Sequence, residues 1–302
     1  MKQRTLKRSV DIVGIGLHKG VPVKMTLEPL EVNSGIIFYR EDAGVSIPLS
    51  PENVVDTKMA TVIGKGDTVV STIEHLLSAI YAYGIDNLRV IIDNDEVPVL
   101  DGSSSGYCML IDEVGITEQD ATKKAIRVKK EVSVEVDGKF VKLKPSNHII
   151  YDFSIDFDHP AIGEQEFRFD YSITDYKENI SRARTFGFLH EVQYLRSIGL
   201  AQGGSLENAI VLDDQKILNP EGLRYDDEFV RHKILDAIGD MCLLGQTMIG
   251  EYNAHAGSHH LNHLLTKKLL EDPANYEVID LEEAGSKIEA KNLQVAYAKQ
   301  KV

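Results

Sequence analysis

The chain has 302 residues, 43% hydrophobic and 26% charged, the make-up of a soluble globular protein with room for two ordinary domains. Its 47 acidic against 33 basic side chains give a net charge of −14, which argues against nucleic-acid binding. An anionic substrate would need a local basic pocket. No run of about 18 apolar residues predicts a transmembrane helix, and the basic N-terminus leads into no apolar signal core.

These features predict a cytoplasmic protein with no stable membrane insertion. Cys108 and Cys242 stand far apart without a CxxC, which excludes a cysteine zinc cluster and a disulfide framework. Both fall in apolar stretches and read as small packed hydrophobes.

In chain order, Val21, Val23, Met25 and Leu27 alternate as a strand, and Gly35–Arg40 is a second. Before them, the glycine-spaced turn Gly14–Gly20 carries His18 but lacks the strand–GxGxxG–helix context of a dinucleotide loop. Ile73, Leu76, Leu77 and Ile80 form a helical stripe closed by Gly84. Ser71 and Glu74 fit a capping box there, so Glu74 has a bland reading as a cap. Leu88–Asp93 reads as a strand, and Pro98–Ser103 as a turn into a helix ending near Gly115. Asp101 in that turn is read as a turn residue.

The charged stretch 117–124 reads as a linker. After it, Val132, Val134 and Val136 alternate up to Asp137-Gly138, a strong hairpin signal. Tyr151 to Phe157 and Phe167 to Tyr171 alternate again, giving a second sheet over about 125–175. A helix follows over 191–198, then a strand over 209–212, a helix carrying His232, and a last helix from 257 to 270. The charged tail after 270 reads as a short helix or a partly disordered segment. Leu76–Ile80 faintly echoes Ile234–Ile238. The expected fold is therefore α+β: two similar domains of mostly antiparallel sheet packed on helices, 1–124 and 125–270, then a tail, 271–302.

His232 and Asp236 lie four apart, on one helix face, about 5–6 Å apart at Cβ. An imidazole nitrogen and a carboxylate oxygen there could meet one metal ion at roughly 2.0–2.2 Å. Asp240, a turn later, is placed to orient a ligand or its neighbour rather than to bind. Alone, such a pair is more often a solvated surface pair. With Glu74, His75 and His259 it becomes the inventory of a metal-dependent amide hydrolase. Two imidazoles and a carboxylate leave a fourth zinc position for water, a carboxylate can take its proton, and a protonated histidine can serve the leaving nitrogen or the oxyanion.

The chain resembles the UDP-3-O-acyl-N-acetylglucosamine deacetylases of lipid A (lipopolysaccharide) biosynthesis. The resemblance runs from Gln3 to about Leu270 on ordered motifs: Gly16–Gly20, Ser71–Ala79, Gly84–Asn87, Glu96–Ser103, Ala183–Phe188, Gly203–Ser205, His232–Asp240 and His259–Asn262. It implies His75, His232 and Asp236 as ligands of zinc (Zn2+). Ferrous iron (Fe2+) also accepts such a set. It implies Glu74 as general base, His259 as proton donor or oxyanion partner, and Asp240 as the group orienting His259.

Thr185 would bond the substrate carbonyl and Lys233 the anionic nucleotide. Phe186 and Phe188 would line the substrate pocket, Val192 the acyl passage, and His18 would stand near the site. The implied fold places the site between two α+β domains. The implied substrate is a UDP-linked, 3-O-acylated N-acetylglucosamine that loses acetate, and the expected state is a monomer. Two departures stand out: Ala256-Gly-Ser-His259 replaces an expected Ser-Gly-His, and Ala60 stands where a cysteine is common. Competing readings are a zinc amidase of the same fold on another acylated amino sugar, and an inert nucleotide-sugar binding protein.

Overall fold

The structure is a computed structural model that describes residues 1–281 and 287–298. The first half runs β1 (Lys2–Leu6), β2 (Val10–Ile15), β3 (Pro22–Pro29), β4 (Ile36–Arg40), β5 (Val45–Pro48), β6 (Val54–Asp56), β7 (Val62–Lys65), β8 (Thr68–Val70), α1 (Glu74–Ala82), β9 (Leu88–Ile92), α2 (Ser105–Val114) and β10 (Ile116–Thr122). The second runs β11 (Lys124–Val128), β12 (Val132–Val136), β13 (Lys139–Lys144), β14 (Ile149–Phe157), β15 (Gly163–Asp170), α3 (Ile173–Asn179), β16 (Phe186–Phe188), α4 (Leu189–Ser197), β17 (Ile210–Leu212), α5 (Glu228–Met241), β18 (Thr247–His255), α6 (His259–Glu271), β19 (Tyr276–Asp280) and α7 (Lys287–Tyr297).

One sheet design appears twice. The first sheet has the order β2-β3-β9-β4-β5, antiparallel except for the pair β4 and β9. The second contains the order β12-β13-β18-β14-β15, antiparallel except for β14 and β18. In each half the inner, partly parallel strand comes last of its five in the chain. In each it is preceded by a buried helix (α1 or α5) and followed by another (α2 or α6). The second sheet is extended by β11, parallel to β18, and by β19, antiparallel to β11.

The alternation read in β3 is real: Val23, Met25 and Leu27 are buried and their neighbours are more open. Asp137 and Gly138 both have positive φ, 51° and 77°, which is the two-residue turn that joins β12 to β13.

α1 and α5 pack against each other at the centre of the molecule. Every residue of α1 is buried, and all of α5 except Arg231 and Lys233. Such helices cannot leave polar groups unpartnered at low cost. Gly239 permits the closest approach: a Cβ there would stand 2.1 Å from the Glu74 carbonyl oxygen.

Two expectations change and a third, the short helix in the tail, is met in part. The capping box does not form: α1 begins at Glu74 itself, Thr72 has φ 57°, and the Ser71 hydroxyl bonds the Asp95 carbonyl. The stretch read as a linker is β10, paired with β1 at the edge, where exposed charges are expected on a strand. Within the charged tail, β19 and α7 are regular. Tyr297 of α7 is buried against Tyr171, its hydroxyl 3.3 Å from that of Thr247. Residues 282–286 and 299–302 of that tail lie outside the described residues.

Candidate functional site

Three helices deliver the chemistry. α1 presents Glu74 and His75 from its first turn, α5 presents His232, Asp236 and Asp240 along one face, and α6 presents His259 as its first residue. The one-face spacing of α5 was legible in the sequence. Its meeting with α1, about 160 residues away, was not.

Asp236 Oδ1 lies 3.3 Å from His232 Nε2 and 3.5 Å from His75 Nε2. The imidazoles stand edge to face, their centroids 5.0 Å apart. His232 Nδ1 is 3.0 Å from the Ala183 carbonyl, so that nitrogen carries the proton and Nε2 turns its lone pair inward. Asp236 Oδ1 is buried and has no hydrogen-bond partner among the described residues. A buried, orphaned carboxylate oxygen facing two imidazole nitrogens fits a cation. The three ligand atoms lie within 4.8 Å of one another, and two nitrogens with one oxygen suit zinc.

The electrostatics agree. Burial pushes His232 down to about 4, so it is neutral, the form that ligates. Burial works against ionised Asp236, but the facing His232 and His75 outweigh it and hold the carboxylate well below its usual range. Burial also opposes charge on His75, and Asp236 reverses it, so His75 is shifted upward. A bound cation would take the place of that proton.

Beside this triad lie two further groups. Glu74 Oε2 accepts the Thr61 backbone N–H at 3.1 Å, and Oε1 is 3.6 Å from His259 Nε2. Burial raises the Glu74 carboxyl above its ordinary range. His259 Nδ1 donates to Asp240 Oδ2 at 2.9 Å. Burial would lower His259, but Asp240 and then Glu74 prevail and it is pushed up to about 10.

Asp240 is saturated: Oδ1 accepts the Thr61 hydroxyl at 2.6 Å, and Oδ2 also accepts the Asn262 amide at 2.8 Å. The Tyr252 hydroxyl then donates to Asn262 Oδ1 at 2.6 Å. Thr61, Asn262 and Tyr252 were missed in the sequence as parts of this network. Asn262 stands one turn after His259, a signal that was there to use. Thr61 offered none.

The triad opens into a cavity of about 300 Å³ lined by His18, Thr72, Phe157, Thr185, Phe188 and Lys233 among others. Phe186 is edge-on to Phe157 and Phe229, and the Lys233 ammonium lies 5.7 Å from the Phe186 ring centre. A second cavity of about 470 Å³, mostly apolar, continues between α4, β17 and the turn carrying His18. Val192, Leu189 and Leu195 of α4 line it, and Leu17, His18, Met59, Thr185 and Phe186 line both spaces.

The residues expected at the site lie in the triad or on the wall of one of these two cavities, except Asp240, which stands behind His259. Thr185 is held by backbone bonds to Gly102 and Ile210. Beside it, Arg184 is buried in a bidentate pair with the fully buried Glu228. The departure before His259 has a use: Ser258 caps α6, its hydroxyl accepting from the Leu261 N–H.

The family model described as UDP-3-O-acyl N-acetylglycosamine deacetylase (LpxC) matches residues 3–271. This chain belongs to that family. Among its relatives, a UDP-3-O-acyl-N-acetylglucosamine deacetylase of Aliarcobacter butzleri is 75% identical over 300 residues, covering 99% of each chain. One of Sulfurimonas denitrificans is 64% identical over 298 residues, 99% of this chain and 100% of its own. One of Helicobacter pylori is 60% identical over 279 residues, 92% of this chain and 95% of its own. The family's α+β organisation is the one described above, and the resemblance read from the motifs is that of a family member.

Proposed function

We propose that the protein is a metal-dependent deacetylase that removes acetate from the 2-acetamido group of UDP-3-O-acyl-N-acetylglucosamine, in lipid A biosynthesis. The observation that carries this reading is the triad, with Glu74 and His259 beside it, in a cavity that shares walls with a larger, mostly apolar one suited to an acyl chain.

His75, His232 and Asp236 would hold the ion; the donor set suits zinc, and ferrous iron would also fit. When bound, the ion supplies Lewis acidity and lowers the pKa of water. Glu74 takes the proton from the attacking water, and its raised pKa suits a base that must later release it. His259, kept protonated by Asp240, steadies the developing oxyanion or hands its Nε2 proton to the leaving amine. Thr185 bonds the substrate carbonyl or the oxyanion formed from it, Lys233 meets the anionic nucleotide, and Phe186 and Phe188 line the substrate pocket. Val192 lines the acyl passage, and His18 stands where the two spaces join.

The chain divides near residue 124, with the site at the seam. It acts as a cytoplasmic monomer that needs no nucleic acid. Among the described residues no helix is long and apolar enough to cross a membrane.

The test is metal content together with acetate release from the UDP-linked acyl sugar, before and after chelation. About one zinc per chain, with activity lost on chelation and restored by zinc, is the expected result. Metal without acetate release would move the activity to another acylated amino sugar. Binding of substrate with neither metal nor turnover would leave a nucleotide-sugar binding protein.

A further inference from the structure

The motif Glu96–Ser103 begins with a carboxylate that the chemistry above does not use. Glu96 is 1% exposed, and it has no cationic partner among the contacts that define its place. Its Oε1 accepts the His18 backbone N–H at 2.8 Å and the Thr72 hydroxyl at 3.1 Å. Its Oε2 accepts the Lys19 backbone N–H at 3.1 Å. A buried carboxylate is costly unless such bonds satisfy it.

The two segments it joins are the walls of the site. The turn 16–20 carries Leu17 and His18 into both cavities. Thr72 lines the triad cavity and precedes Glu74 by two residues. It is a β-branched residue at φ 57°, a conformation that persists only where its surroundings hold it.

The fit leaves no slack. A Cβ at Gly16 would stand 2.3 Å from Glu96 Oε2, so the turn closes onto the carboxylate only because position 16 is glycine. On its far side the turn is clasped by Gln202 and Gly203, whose N–H groups donate to the His18 and Leu17 carbonyls. Among the described residues the ring nitrogens of His18 have no hydrogen-bond partner, so the polar anchoring of this residue is through its backbone.

We propose that Glu96 is a positioning residue that keeps the acyl-passage wall at His18 in register with the first turn of the helix bearing Glu74 and His75. It touches no reacting atom and acts through Thr72 and through the turn. This rests on the deacetylase reading for its assay.

The experiment compares wild type with Glu96→Gln, Glu96→Ala, Thr72→Val and Thr72→Ser, all zinc-loaded and corrected for the folded fraction. Acetate release is measured on one substrate with a long 3-O-acyl chain and on one with a truncated chain. A displacement of about 1 Å at such a site costs on the order of 10²-fold. Glu96→Ala should lose about that in kcat, with zinc content unchanged, and should also narrow the preference for the long chain. Glu96→Gln keeps one acceptor oxygen and should fall between. Thr72→Ser, which keeps the hydroxyl, should recover what Thr72→Val loses.

A purely structural role would lower the melting temperature while leaving kcat per folded chain and the chain-length ratio as in wild type; that outcome overturns the proposal. Thr72→Val matching wild type would overturn its α1 arm. Wild-type protein with zinc but without acetate release would instead sink the deacetylase reading itself, and the ratio of long-chain to truncated-chain substrate binding by calorimetry would still report whether Glu96 sets the passage wall.

Discussion

Gly239 of α5 lies so close to Glu74 of α1 that a single added carbon would stand 2.1 Å from the Glu74 carbonyl oxygen. The obstacle is backbone on both sides, so no flexible side chain can yield. The proposed ligands sit on both helices, and their separation is set at this crossing.

Gly239→Ala is therefore expected to push α1 and α5 apart. Overpacking of this kind costs about 1–3 kcal/mol, with His75 displaced from His232 and Asp236. Urea denaturation and metal analysis check it. Full zinc occupancy at wild-type stability would mean that the crossing has slack.

Glu74→Gln should separate function from stability. The carboxyl is harder to ionise in the folded chain than its ordinary value of 4.5, because it is buried. Its contribution to stability is thus complete at low pH and is lost as pH rises above 4.5. Glutamine keeps an acceptor for the Thr61 N–H and carries no charge. The chelated variant should melt at or above the wild-type temperature at pH 7, while the zinc-loaded variant loses about 10²–10⁴-fold in rate. A rate equal to wild type would remove Glu74 from its role.

The His259–Asp240 pair acts in the same direction, at higher pH. His259 is raised from 6.5 to about 10, because Asp240 outweighs the cost of burial. Its stabilising effect is complete below pH 6.5 and disappears as pH rises towards 10. Chelated wild type should lose stability across that window. His259→Gln should flatten the loss, as read from melting temperature against pH, and should cost activity at every pH. An unchanged slope would place the proton elsewhere.

Lys123 is 1% exposed, bonded to Asp86 and to the Gly84 carbonyl at 3.1 Å, beneath the ring of Tyr297. Removing one partner of a buried pair leaves the other uncompensated, so Lys123→Met should cost about 3–5 kcal/mol. The double variant Lys123→Met, Asp86→Asn should recover part of it. Denaturant midpoints of both decide the matter, with a silent single variant showing that solvent reaches Asp86 freely.

Much of the fold could be read where one face is wet. β3 alternates because its sheet has an inside and an outside, and Asp137-Gly138 turns because both positions take positive φ. β18 could not be read. It has neighbours along both edges, and its first four residues, Thr-Met-Ile-Gly, are all buried, so the alternation is confined to Glu251–His255. Gly250 interrupts it because Val128 and the Lys144 carbonyl come too close for a side chain.

At the site, His232 and Asp236 were legible as one helical face. The capping box misled because a local pattern cannot show that Thr72 turns the chain and sends Glu74 to Thr61 instead. The resemblance, not the spacing, joined His75 and His259 to that face.

The twice-used sheet order has a further consequence. The echo aligns Leu76–Ile80 with Ile234–Ile238, and these segments fall on α1 and α5, which hold matching places in the two halves. In that register Glu74 answers to His232, and Ser78 answers to Asp236. A lone half would carry either the proposed base with one proposed ligand or the other two proposed ligands, and neither set is complete. The two halves, which pass directly from β10 into β11, therefore meet as unlike partners, each supplying groups that the other lacks. A substitution where α1 packs on α5 in one half is then felt by the groups that the other half brings to that contact.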